Sequence, residues 1–221
     1  MIDPRPIDEL AGAFVRGAEP SVGTPPSERP ADPLGELGSW IEEARAGGCA
    51  EPASVTFVTS TTDGRPSART VTLKRLEADS LIFTSALWTR KAREIEANPH
   101  VALLFFWPEM GRQAHVVGTA ADAGRDLAEE LFAERDPLHR LQTIVSRQGA
   151  PIDRGELAEM RARLAHLAEV QEAPPRCPED WGALRVTPEA VELWSEAPDR
   201  LHERRLFERS GDEWNLQLLS P

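Results

Sequence analysis

Tyrosine is absent from this 221-residue chain, and cysteine occurs only at Cys49 and Cys177. Two isolated thiols make neither a disulfide framework nor a metal site, and they fit a reducing, cytoplasmic setting. His100, His115 and His166 stand at no metal-ligand spacing, so no metal is expected. Nothing approaches eighteen consecutive apolar residues, which excludes a membrane-spanning helix. The opening MIDPRPIDEL lacks the charged-then-apolar pattern of a secretory signal. Positive charge is also short: 25 Lys and Arg against 37 Asp and Glu give a net charge of −12. A protein this acidic repels the phosphate backbone, which argues against general nucleic-acid binding. Neither a dinucleotide fingerprint nor a P-loop is present. Ordinary composition remains, 40% hydrophobic and 28% charged, with length enough for a proper core.

Residues 1–31 mix Pro, Gly, Ser and charge with little periodicity and read as a mobile arm, with a weak helical patch at 8–16. Residues 32–221 read as one domain. Asp32-Pro33 opens a helix through residue 46, ended by Gly47-Gly48. A β-branched strand follows at 54–60, with Asp63-Gly64 as the turn into a return strand at 66–76. Further strands are expected at 81–85, at 101–107 (continuously apolar, hence buried on both faces) and at 113–120. Thr89 can cap a helix over 90–97, which Asn98-Pro99 terminates. Helical periodicity covers 126–134 and 153–170, with a polar, irregular segment at 139–151. Strands return at 182–187, 190–194, 204–209 and 214–218. Successive antiparallel strands with short turns point to a barrel rather than a doubly wound sheet.

Charge inverts locally. From residue 65 to 93 there are seven cations (Arg65, Arg69, Lys74, Arg75, Arg90, Lys91, Arg93) and two acids (Glu77, Asp79), and seven minus two is +5. Thr89-Arg90-Lys91 begins a helix, where free N–H groups and the dipole favour an anion. Alone, such a triplet reads as a solvated helix face; Arg69 and Lys74 on an adjacent strand favour a phosphate seat. A second cluster is Trp194 with Arg200, Leu201, His202, Glu203 and Arg204, where like charges disfavour protonation of His202. Its plain alternative is a salt-bridged hairpin. Gln113 and Gln148 are amides able to read the edge of a planar ring.

Together these pieces resemble the pyridoxine/pyridoxamine 5′-phosphate oxidase family over roughly residues 32–221. The matching motifs are R-x-V-x-L-K at 69–74, T-R-K at 89–91 (Ser-Arg-Lys-Gly is usual), N-P-x-x-A-L-L-F-x-W at 98–107 and R-Q at 112–113. Later come S-R-Q at 146–148, E-L-W-x5-R-L-H-E-R at 192–204 and the ending W-N-L-Q-L-L-S-P. The resemblance implies an α+β protein, mainly antiparallel β: a split β-barrel with peripheral helices, forming a homodimer with FMN at the subunit interface. It implies that Arg69, Val71, Lys74, Phe83 and Thr84 line the cofactor and that Arg90 and Lys91 hold its phosphate. Gln113, Gln148, Trp194 and Arg204 would complete the site, Gln148 from the other subunit. Arg200 and His202 would face the substrate, with oxygen as the final acceptor.

The departures concern the substrate. In the family's vitamin-converting oxidases a Lys, a Tyr, an Arg and a Ser hold the substrate phosphate. Lys74 and Arg135 stand at two of these places; Leu131 and His139 occupy the others, and the usual Gln-Ser is Gln148-Gly149. Two lost hydroxyl donors would cost roughly 1–3 kcal/mol each if desolvated. The V-S-R-Q segment, R-L-H-E-R loop and W-N-x-x-x-L-x-P ending resemble the phenazine-biosynthesis branch, whose implied work is oxidising reduced tricyclic intermediates. Three readings follow: such a specialised-metabolite oxidase, a vitamin B6 oxidase, and a flavin-binding protein without turnover.

Overall fold

A computed structural model describes residues 32–171 and 173–221; the arm expected over 1–31 lies outside them. Helix α1 (Pro33–Ala46) starts as its sequence dictates. The Asp32 carboxylate accepts the Gly35 N–H at 2.8 Å and Pro33 occupies the first turn. Its apolar stripe, Leu34, Leu37, Trp40, Ile41 and Ala44, is buried against the sheet.

Nine strands form one antiparallel, curled sheet: β1 (Ser54–Ser60), β2 (Pro66–Thr72), β3 (Arg75–Leu76), β4 (Leu81–Ala86), β5 (His100–Trp107), β6 (Arg112–Asp122), β7 (Trp181–Ser195), β8 (Glu203–Ser210) and β9 (Glu213–Leu219). The main order is β2-β1-β5-β6-β7-β4-β3, and β8 leaves it from β7 to carry β9. The return strand expected over 66–76 breaks at Leu73-Lys74. Leu73 N–H still bonds to Ala53 beside β1, whereas Lys74 N–H bonds to Ile82 in β4. Adjacent residues thus stitch together the two ends of the strand order, and this curls the sheet.

The strands expected at 182–187 and 190–194 are one strand, β7. One edge pairs with β6 over 184–195; the other pairs with β4 over 181–186 and with β8 over 190–195. Pro188, lacking an N–H, sits where the second edge changes partner, and the register shifts between Val117 and Gly118. Gly118 permits this contact: a Cβ there would lie 2.1 Å from the Thr187 carbonyl oxygen.

The interior is filled by alternate residues of each strand, including Phe57, Phe83, Leu103, Phe105, Val116 and Leu193. The expectation that 101–107 is buried on both faces does not hold. Strand β5 alternates, with Phe106 58% exposed, because a curled sheet encloses only one face. Helix α2 (Arg90–Ala97) follows β4, and α3 (Arg125–Glu134) covers the outside of β4 and β7 through Ala128, Leu131 and Phe132. The segment read as irregular contains α4 (Pro137–Val145), begun by Asp136-Pro137 with the Asp136 carboxylate accepting the Leu138 N–H. Helix α5 (Arg154–Val170) starts with a full Asp153/Glu156 capping box, but buries none of its residues.

Gly118→Ala should destabilise the protein by about 1–3 kcal/mol through overpacking against β7, measured as a lower urea midpoint; an unchanged midpoint would show that the bulge absorbs a methyl group.

Candidate functional site

The basic cluster is real in three dimensions, and its centre is the start of α2. Thr89 takes the N-cap position but does not cap the helix as expected. Its hydroxyl donates to Ala86 O at 2.8 Å and bonds Ser85 Oγ at 3.0 Å. No side chain caps the first turn, and no acid occupies it. Its N–H groups therefore remain available to an anion.

Three cations surround that turn. Arg69 Nη1 donates to Phe57 O at 3.0 Å and Thr59 Oγ1 at 2.8 Å, and Nη2 donates to Ser67 Oγ at 2.6 Å. Arg90 Nε donates to Glu94 Oε1 at 2.7 Å, and Glu94 Oε2 lies 3.6 Å from Arg69 Nη2. Burial works to raise the Glu94 pKa, but the Ser67 and Thr59 hydroxyls and Arg90 overcome it and hold it at about 2. Lys91 is 6% exposed and forms no ion pair among the described residues. Burial, then repulsion from Arg69, pushes its pKa down to about 8.

A cleft of about 320 Å³ opens beside this seat, bounded by β2, β4 and α4. Of the residues expected in a site, Val71, Lys74, Thr84, Lys91, Arg135 and Gln148 line it. Arg135 is partly buried and Lys74 more exposed, and desolvation depresses both pKa values; the Arg135 charge adds to the effect on Lys74. Arg135 lies 5.4 Å from the Trp181 ring and reaches Thr143 Oγ1 at 3.4 Å, while its Nε is buried without a partner. Gln148 lines the same cleft as Lys91 within one chain. Its carbonyl accepts the Trp88 indole N–H at 3.1 Å.

Three expected side chains lie elsewhere. Phe83 is in the barrel core, 5.1 Å from Phe57, because strand alternation points Thr84 rather than Phe83 at the cleft. Leu131 is buried in the apolar contact between α3 and β7, as its side chain requires. His139 is exposed on α4, and of its atoms the carbonyl oxygen receives Arg135, at 3.3 Å. Conversely, Trp88, Gln142 and Thr143 line the cleft unforeseen. Asp136-Pro137, the same start signal as Asp32-Pro33, marks the helix that delivers the last two.

The second cluster is assembled away from the first. Gln113, Trp194 and Arg204 are direct neighbours across β6, β7 and β8. Trp194 lies 4.9 Å from the His202 ring, and Arg204 Nε donates to Glu192 at 2.7 Å. His202 Nδ1 accepts the Ala197 N–H at 3.1 Å. Arg200 turns this loop with φ +69°, a left-handed conformation uncommon outside glycine. Trp181, at the start of β7, lines the cleft, and Trp194 is thirteen residues further along the strand. At ~3.3 Å per residue that is roughly 40 Å of extended chain. One chain therefore holds the two clusters apart.

Comparison with known proteins gives this arrangement its family. The family described as "Pyridoxamine 5′-phosphate oxidase" matches residues 41–195, and a "Pyridoxine 5′-phosphate oxidase C-terminal dimerisation region" matches residues 181–221. The pyridoxine/pyridoxamine 5′-phosphate oxidase of Rubrobacter xylanophilus is 42% identical over 86% of this chain and 87% of its own length. That of Gluconobacter oxydans is 37% identical, covering 86% and 95%. Among solved structures, PhzG from Burkholderia lata in complex with tetrahydrophenazine-1-carboxylic acid superposes with a TM-score of 0.81 at 29% identity, covering 88% of this chain and 95% of the other. With family matches that run from α1 to the last strand, the chain belongs to the pyridoxine/pyridoxamine 5′-phosphate oxidase family.

Proposed function

We propose that the protein is an FMN-dependent oxidase that acts as a homodimer on a reduced aromatic or heterocyclic anion, of dihydrophenazine type, with oxygen as acceptor. The observation that carries the cofactor assignment is Lys91: a buried ammonium without an ion pair among the described residues, beside Arg69, Arg90 and an uncapped helix start. A phosphomonoester fits that donor set. When bound, FMN supplies the hydride-accepting ring and its reoxidation to yield hydrogen peroxide.

The chain's own residues do the rest. Arg69, Arg90 and Lys91 hold the phosphate, while Val71 and Thr84 form the wall beside it. Gln148 closes the cleft through the Trp88 contact. Gln113, Trp194 and Arg204 stand too far along the sheet to reach this cleft, so they serve the corresponding cleft of a second copy. The dimerisation region covers β7–β9, and the apolar surface left open around it, including Phe106 and the 74% exposed Leu218, supports that assembly. His202 accepts the Ala197 N–H at Nδ1, so its neutral ring carries the proton on Nε2 and donates from there to orient the substrate. Arg200 neutralises a substrate carboxylate.

Two observations bear on substrate choice. Leu131 is locked in an apolar contact and the His139 side chain is exposed, so neither replaces the hydroxyl donors of a phosphate clamp. Together with the likeness to PhzG, this favours the reduced heterocycle. A vitamin oxidase is the second reading, favoured by the 42% identical relative and by Lys74 and Arg135 facing the cleft.

Reduced phenazine carboxylates should give faster peroxide formation than pyridoxine 5′-phosphate; the reverse order would install the second reading, and no peroxide from either would leave a binding protein. Arg200→Ala and His202→Ala should each slow substrate-dependent flavin reduction about 10-fold or more in stopped-flow traces, and unchanged traces would remove both residues from the substrate site. FMN affinity should be flat between about pH 7, above the second ionisation of its phosphate, and about pH 8, where Lys91 loses its proton in the free protein, and then fall by up to tenfold per pH unit. Lys91→Met should bind FMN more weakly and show no such alkaline fall in fluorescence titrations.

A further inference from the structure

Glu94 is a buried, ionised side chain to which the proposed function gives no part. It is 6% exposed, does not line the cleft, and spends both oxygens on the phosphate seat. Oε1 accepts Arg90 Nε at 2.7 Å; Oε2 accepts the Ser67 hydroxyl at 2.6 Å and the Thr59 hydroxyl. Each hydroxyl has one hydrogen. With that hydrogen committed to Glu94, the oxygen lone pairs of Thr59 and Ser67 are left facing Arg69, which donates to both at 2.8 Å and 2.6 Å. The carboxylate therefore fixes Arg69 through two hydroxyls and Arg90 directly. It also sets the charge: Arg69, Arg90 and Lys91 contribute three positive charges and Glu94 one negative, leaving +2.

We infer that Glu94 is a positioning residue for the cofactor phosphate, holding Arg69 and Arg90 in a seat whose charge matches a dianionic phosphomonoester. The inference rests on the FMN reading above. A seat built this way is assembled before its anion arrives, because the two arginines already have a counter-charge and fixed partners. Glu94→Gln keeps the size but breaks the pattern. If the amide oxygen continues to accept the two hydroxyls, its NH2 group meets the Arg90 Nε–H, donor against donor, and expels it. If the amide is turned the other way, the Ser67 and Thr59 hydroxyls must reverse and turn their hydrogens on Arg69.

The test compares two flavins that differ only in the phosphate. The ligand-free full chain is titrated with FMN and with riboflavin, following the quenching of flavin fluorescence. Glu94→Gln should lose FMN affinity by about tenfold or more while riboflavin affinity changes less than about twofold. Combined with Arg90→Gln, its FMN effect should fall short of additive, since both substitutions break one contact. A structural role alone would weaken both flavins in parallel, and that result, or unchanged FMN affinity, overturns the inference. Should Glu94→Gln fail to fold, Glu94→Asp keeps the charge but withdraws it by one methylene, and the same selective loss is expected and the same results overturn it. Wild-type protein that binds FMN no better than riboflavin would instead sink the cofactor reading, a failure distinct from a variant that behaves like wild type.

Discussion

One strand, β7, must satisfy three partners, and this constraint shapes both the barrel and the site. Its continuous edge binds β6, while its other edge is shared between β4 and β8 on either side of Pro188. The proline interrupts the donor series, and Gly118 lets the facing strand close over the irregularity. From that division follow the position of β4, the turn that leads to α2, and the outlying β8-β9 hairpin. The same strand carries Trp181 into the cleft and Trp194 far from it, so the fold itself separates the two clusters.

Electrostatics divides the basic residues into two populations. Arg75 pairs with Glu130 and Glu134, Arg205 with Glu36, and Arg125 with Glu129, all at or near the surface, where such pairs contribute little to stability. Arg69, Lys91 and Arg135 are instead partly or wholly buried, and burial depresses the pKa of each, as desolvation does that of the more exposed Lys74. Holding them charged in such places costs free energy that an anionic ligand would offset. Glu94 compensates one end of the cleft only, next to the helix start. At the other end Lys74 feels the repulsion of Arg135, offset in part by the Glu51 carboxylate.

Much of this could be read from the chain. The bounds of β1 and α2 follow from a β-branched run and from Thr89 with Asn98-Pro99, because those signals are local. The charge inversion between residues 65 and 93 located the anion seat but overcounted it. Arg65 pairs with Asp63 beside its turn and Arg75 with Glu130 and Glu134 of α3, so at least two of the seven cations are engaged away from the cleft. Helix α4, begun by Asp136-Pro137, occupies much of the segment expected to be irregular, and only Leu141 of it is buried. The apolar run of β5 suggested burial on both sides; hydrophobicity reports that a surface is to be covered, but not whether the covering belongs to the same chain.

The sequence by itself determined the family, most local elements and the local inversion of charge between residues 65 and 93, since each depends on residue types at short spacing. The tertiary structure decided which of those residues meet. It turned Phe83 and Leu131 into packing, left the His139 side chain in solvent, brought Gln148 beside Lys91, and carried Trp194, His202 and Arg204 away from the cleft. Those outcomes depend on strand register, on the hand-over at Leu73-Lys74 and on the divided edge of β7, contacts between residues far apart in the chain that no local pattern encodes.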